Sequence, residues 1–174
     1  MRNGTGSLAY ILETDSIGGF LTHDLAEKDE RRLFHKEGFS ARDLVLSSDG
    51  ELVALAVNFE STLNLAVMRP DGRNLQEVTE GDSVDCKPCW TDNDTKLVYQ
   101  SAGVARDNNG HPVGLGPFSI EKLDLQAGEI ETLAEDPKFD LLHPKVGPDD
   151  ELYFIRRPYE PLGRKPATFG SVLK

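Results

Sequence analysis

The run Lys87-Pro88-Cys89-Trp90-Thr91-Asp92-Asn93-Asp94-Thr95-Lys96-Leu97-Val98-Tyr99 decides the fold of this chain. A short approach ends on a large aromatic, polar and acidic residues supply a turn, and an alternating strand follows. Two weaker copies flank it, Leu44-Val45-Leu46-Ser47-Ser48-Asp49-Gly50-Glu51-Leu52-Val53-Ala54 and Pro144-Lys145-Val146-Gly147-Pro148-Asp149-Asp150-Glu151-Leu152-Tyr153-Phe154. Working outward, Leu8, Leu52, Leu97 and Leu152 head the strand after each turn, at intervals of 44, 45 and 55 residues. Leu33, Val78 and Leu133 mark a later strand and recur at intervals of 45 and 55 residues. Two landmarks that agree on the long last interval predict a repeat of about 45 residues with one insertion, the size of a propeller blade.

Within a unit the order is constant. Strand A is Leu44 to Ser47 or Pro88 to Thr91, and strand B is Leu52 to Val57 or Leu97 to Gln100. Strand C is Asn64 to Arg69 or Ser119 to Leu125; a glycine turn (Gly72, Gly128) leads to strand D, Gln76 to Thr79 or Ile130 to Leu133. Glycine is placed there because tight hairpins need positive φ. In the first unit, Leu8 to Leu12 and Phe20 to Leu25 read as a strand pair, with Arg31 to Phe34 as an outer strand. The predicted class is therefore all-β, a partial β-propeller of four-stranded antiparallel blades, two full and two partial. The blades fall near residues 7–37 (lacking strand A), 40–80, 84–136 and 140–157 (incomplete), with a tail over 158–174. Two full units and two halves do not close a ring, and open sheet edges promote association. That predicts an excerpt of a larger propeller, or pairing with another copy through the blade edges.

The pattern Pro88-x-Trp90-Thr91-Asp92-Asn93-Asp94-x-x-Leu97-x-Tyr99 resembles the repeat of TolB-type, or WD40-like, propellers, which reads Pro-x-Trp-Ser-Pro-Asp-Gly-x-x-Leu-x-Phe. Ser48-Asp49-Gly50-x-Leu52 and Gly147-Pro148-Asp149-Asp150-x-Leu152 match its turn, so the resemblance covers nearly the whole chain. Leu46 and Val146 stand where Trp90 stands in the third unit. The resemblance implies a fold rather than an activity, because such repeats occur both in binding scaffolds and in domains attached to hydrolases. Trp90, the sole tryptophan, is expected to be buried.

Composition narrows the partners. A formal charge of −11 works against nucleic acid and anionic membrane, whose phosphates are bound mainly by Lys and Arg. No apolar run is long enough for a membrane helix, and Met1 to Ser7 has no signal-peptide core. If Met1 is the true start the chain is expected in the cytoplasm; if the chain is an excerpt, a periplasmic location stays open.

Candidate sites follow from the blade topology. The insertion, Ser101 to Pro117, joins strand B to strand C and carries Arg106, Asp107 and His111. It is expected as a long polar loop beside the D-to-A connections that hold Asp82, Asp85, Cys86 and Lys87, and Asp140 and His143. Matched positions just before strand A are Asp43, Lys87 and His143, which are expected to ring the mouth of a central channel. The binding residues predicted are thus Asp43, Asp85, Lys87, Arg106, Asp107, His111 and His143.

Other motifs carry less. Cys86-Lys87-Pro88-Cys89 has the spacing of a redox dithiol or half a zinc site, but no second pair exists and the helix start a redox motif uses is absent. Asp92-Asn93-Asp94 and Asp149-Asp150 are read as turn residues rather than calcium ligands. There is no G-x-S-x-G and no phosphate-cradling loop, so no catalytic residue, metal or cofactor is expected within the chain. The leading expectation is a non-catalytic scaffold that binds a protein or peptide through loops on one face. The alternative is the propeller domain of a longer serine peptidase or other hydrolase, and a third reading is a metal-dependent enzyme using His111, His143 and nearby acids.

Overall fold

The computed structural model describes residues 6–14, 17–59 and 62–161, and these form strands and turns without a helix. The expected tail lies outside them beyond Pro161, as do residues 1–5. The first sheet is β1 (Ser7–Thr14), β2 (Ile17–Asp24) and β3 (Asp29–Glu37), antiparallel and in sequence order. The second unit is β4 (Ala41–Leu46), β5 (Val53–Phe59), β6 (Thr62–Met68) and the two-residue β7 (Gln76–Glu77). The third is β8 (Ser83–Thr91), β9 (Lys96–Arg106), β10 (Pro112–Leu115), β11 (Ser119–Asp124) and β12 (Ile130–Ala134). A pair, β13 (Phe139–Val146) and β14 (Leu152–Pro158), ends the described chain. In the strand ladder the second and third units are joined by a single parallel pairing, Leu63 with Val84.

Strand β5 shows why the sheets stack. Successive side chains of a strand face opposite ways, and both parities of β5 are apolar. Val53, Leu55 and Val57 pack with Phe20, Phe39, Ala66 and Met68, a core shared with Ala9, Ile11 and Leu33 of the first sheet. Ala54 and Ala56 face the other way, into a core with Leu63, Leu65, Leu97, Tyr99 and Leu123. On β9, Leu97 and Tyr99 look back to the second unit, while Val98 joins Ile120 and Leu141 in a third core that takes in Val146 and Leu152. Hydrophobic matter thus lies between successive sheets, which is the packing of a propeller, and the chain is a partial β-propeller.

The repeat is offset by one residue from its sequence reading. Cross-strand partners are Leu46 with Val53, Trp90 with Leu97, and Val146 with Leu152. Val53 therefore holds the position of Leu97 and Leu152, and each of the three packs toward the preceding sheet. Leu52, the residue matched in sequence, precedes the strand and is only half-buried. Trp90 is also half-buried; its ring packs at the edge of the second core and its Nε1–H donates to the Val45 carbonyl at 3.1 Å.

Strand D of the second unit was expected over Gln76–Thr79 and shrinks to β7 because a side chain takes over the ladder. Leu65 N–H donates to Thr79 Oγ1 at 2.8 Å, and the Leu65 carbonyl accepts from Val78 N–H at 2.9 Å. The insertion is a hairpin rather than a loop: β9 runs on to Arg106, and β10 returns along it.

The turns between the innermost and second strands also link the units. Asp92, Asn93 and Asp94 all have positive φ (51°, 55° and 64°), a conformation that Asn and Asp tolerate best among residues with a side chain. Asp94 reaches the equivalent turn of the second unit, where its Oδ2 accepts from Ser48 N–H at 2.7 Å, from Asp49 N–H at 3.2 Å and from the Ser48 hydroxyl. Asp94→Ala removes all three bonds. We expect a loss of about 1–2 kcal/mol by urea denaturation, the range for deleting a capping carboxylate at an exposed site. An unchanged midpoint would show that the turn link carries no stability.

Candidate functional site

Each innermost strand carries the same irregularity. The pairing register shifts between Arg42 and Val45 in β4, between Cys86 and Cys89 in β8, and between Leu142 and Lys145 in β13. An extra residue bulges out at each place. The first bulged residue is left-handed in all three, with φ of 58° at Asp43, 56° at Lys87 and 54° at His143. A side chain in that region costs about 1 kcal/mol or more. Two of the bulges recover main-chain bonds from the preceding unit. Lys87 N–H donates to Asp43 Oδ2 at 3.3 Å, and His143 N–H donates to Gln100 Oε1 at 2.8 Å.

The three bulges converge on one pocket of about 160 Å³, lined by Asp43, Lys87, His143 and Lys145 together with Pro88 and Pro144. These side chains come from three successive units, so the pocket exists only because the sheets stack. Lys87 Nζ donates to Asp43 Oδ1 at 2.5 Å, and the Asp43 side chain is 11% exposed. Pro88 and Pro144 are buried and form aliphatic walls, while His143 and Lys145 are exposed. Sequence matching identified Asp43, Lys87 and His143 but put them ahead of strand A, whereas they lie inside it. Lys145 and the two prolines escaped it, although the shared pairs Lys87-Pro88 and His143-Pro144 were a visible signal.

The remaining predicted residues do not line this pocket. Arg106 stands on the hairpin, where it ion-pairs with Asp82 at 2.6 Å and donates to the Gly110 carbonyl at 2.8 Å. Asp107 is consumed by the hairpin's own turn: its Oδ1 accepts from Asn109 N–H at 2.8 Å and from His111 N–H at 2.9 Å. Those backbone bonds, His111 first, hold its carboxyl below the ordinary carboxylate range. His111 is exposed and faces Asp107 Oδ2 at 3.4 Å. Asp85 is 3% exposed and accepts from Ser101 Oγ at 2.6 Å, so it is a satisfied interior carboxylate. Asp140, likewise buried, accepts from Phe118 N–H and from Arg157. Among the described residues, no three His, Cys, Asp or Glu side chains are grouped as a metal site needs.

The two cysteines are unpaired thiols on either side of the β8 bulge. Burial, followed by the nearby Asp43 carboxylate, pushes the Cys86 thiol from its ordinary 9.0 up to about 11. Burial likewise raises the Tyr99 phenol, with Asp85 and Glu121 adding to the effect. The sign follows from proton uptake: between pH 9 and about 11 the folded state keeps a proton on Cys86 that the unfolded chain releases. The associated stability is complete below pH 9 and is lost as pH rises through about 11. We expect a flat melting temperature from pH 7 to 8.5 and a decline above pH 9, worth about 2 kcal/mol from Cys86. Cys86→Ala should flatten that decline; an identical alkaline profile in the variant would contradict it.

The sequence matches no protein-family model and no curated protein. Solved structures are similar in fold. The putative TolB from Agrobacterium tumefaciens matches with a TM-score of 0.65 at 19% identity, covering 89% of this chain and 55% of that one. TolB from Acinetobacter baumannii matches at 0.62 and 16% identity, over 88% of this chain and 35% of that one. The tricorn protease matches at 0.66 and 13% identity, over 89% of this chain and 14% of that one. The chain therefore spans between about a seventh and somewhat more than half of these three structures. Its fold is that of TolB-like propellers.

Proposed function

We propose that this chain is part of a non-catalytic propeller scaffold that binds a protein or peptide over the face carrying the bulge pocket. One observation carries the reading. Three equivalent left-handed bulges, from three successive units, direct Asp43, Lys87 and His143 to one rim. Positions held at a conformational cost on a rigid sheet suit recognition, which gains from groups already ordered before binding. The hairpin that ends at β10 supports it as a second contact on a stiff arm, since Arg106 ties it to Asp82, and Tyr159 donates its hydroxyl to the Leu115 carbonyl.

Selection of displayed random peptides against the purified chain tests this reading. Selected peptides should lose affinity about ten-fold or more on Lys87→Glu, the scale for reversing a charge at a contact. Peptides that bind Lys87→Glu and His143→Ala as well as the parent would contradict it.

A second reading, a propeller domain of a longer serine peptidase, draws on the likeness to the tricorn protease. A serine-hydrolase segment in the same reading frame would favour it; a complete reading frame without one would rule it out.

A further inference from the structure

The chain carries a formal charge of −11, yet the ionisable residues lining the bulge pocket are two lysines and a histidine against one carboxylate. That carboxylate is already committed. Asp43 gives one oxygen to Lys87 Nζ and the other to Lys87 N–H, and its side chain is nearly withdrawn from water. Lys145 is exposed and forms no ion pair among the described residues. Lys87 Nζ has three protons, of which the Asp43 bond uses one. The uncommitted charge at the rim is thus positive, set against the hydrocarbon walls of Pro88 and Pro144. Low-dielectric walls concentrate the field of such charges on a ligand of opposite sign.

The walls also select among anions. Phosphate sites gather several main-chain N–H donors. Here the residues that follow Lys87 and His143 are prolines, which have no N–H, and the N–H groups of Lys87 and His143 themselves are bonded to Asp43 and Gln100. At these two bulges what remains is ammonium groups, set in a small pocket that is part polar and part apolar, a match for one carboxylate.

We propose that the pocket takes a carboxylate of a bound peptide, held between Lys87 and Lys145 with His143 at the rim. This rests on the reading of the rim as a peptide-binding site and adds the chemistry that it recognises. The source is either a C-terminal carboxylate or an acidic side chain.

The test is an NMR titration of the whole ¹⁵N-labelled chain with three hexapeptides of glycine and alanine, each acetylated. One ends in a free carboxylate, one in an amide, and one in an amide but with a central glutamate. We expect the Lys87, His143 and Lys145 amides to shift with a carboxylate-bearing peptide, about ten-fold less affinity for the neutral peptide, and a similar loss on Lys145→Gln. Shifts with the first peptide alone identify the chain terminus, and shifts with the third identify a side chain. Equal binding of the neutral peptide overturns the carboxylate while leaving a peptide site in place. Stronger shifts with inorganic phosphate than with acetate overturn it in favour of a phosphate. If none of the peptides moves these amides, the proposal fails, and the displayed-peptide selection decides separately whether the rim binds peptides at all.

Discussion

Truncating Leu65 to alanine should lower the unfolding free energy by about 3 kcal/mol, within the range for emptying a leucine site in a core. Leu65 has no exposed surface, and it packs where the second and third sheets meet, against residues of β5, β9 and β11. Its main chain is also fully used, bonded to Thr79 Oγ1 on one side and to Val78 on the other, so the site has little freedom to collapse. In a chain of this size, a loss of that order shifts the melting temperature by roughly 6 to 12 °C. Leu52→Ala is the contrast. Because Leu52 precedes its strand and is half-exposed, it should cost less than about 1 kcal/mol. Denaturant titration of both variants decides the matter, and equal losses would mean that the packing between sheets is wrongly assigned.

That contrast also shows where the sequence stopped being legible. The repeat, the strand order and the stacking of units were readable because turn residues punctuate every blade. The register of the second unit was not, because Leu52-Val53-Ala54-Leu55-Ala56-Val57 is apolar at every position. A strand buried on both faces has no polar parity, so either alignment looks correct. The fourth unit adds to the ambiguity, since six residues separate Val146 from Leu152 where seven separate Trp90 from Leu97.

The site divided in the same way. Asp43, Lys87 and His143 could be matched by their place in the repeat, but an extra residue in a strand leaves no mark on composition, so the bulges that converge them could not be read. Asp85 was expected on the connection ahead of strand A, whereas it lies within β8 and is buried against Ser101. The insertion read as a polar loop for its Asp107-Asn108-Asn109-Gly110 run, which is only the tip of the hairpin.

Gly18→Ala should be as damaging, at about 3 kcal/mol or more, for a different reason. A methyl group at Gly18 would stand 1.9 Å from the Phe39 carbonyl oxygen and 2.9 Å from the Phe39 ring. The obstacle is main chain, so rotation of a side chain cannot relieve it, and the connection between the first sheet and β4 must move. Phe39 is 5% exposed and meets Phe34 edge-on at 5.0 Å, while Phe34 lies 6.1 Å from Phe20. Displacing one ring therefore disturbs all three, and overpacking of this kind costs about 1–3 kcal/mol even where only side chains must yield. Gly103→Ala is the control, because a methyl group there meets nothing within 4 Å. Thermal melts should show a large drop for Gly18→Ala and little change for Gly103→Ala; parity between them would contradict the close approach of β2 to Phe39.

Stacked sheets are the premise of the shared cores, of the bulge pocket and of the proposed binding, and the sole tryptophan reports on them directly. Trp90 gives the single indole N–H resonance of the chain, and that proton is donated to the Val45 carbonyl of the neighbouring unit. The measurement is a nuclear Overhauser spectrum, with exchange rates, of this one signal. Stacked sheets predict cross-peaks from the indole proton to Val45 and Leu46 and exchange slower than that of free tryptophan; cross-peaks confined to the third unit, with exchange at the free rate, would contradict the stacking.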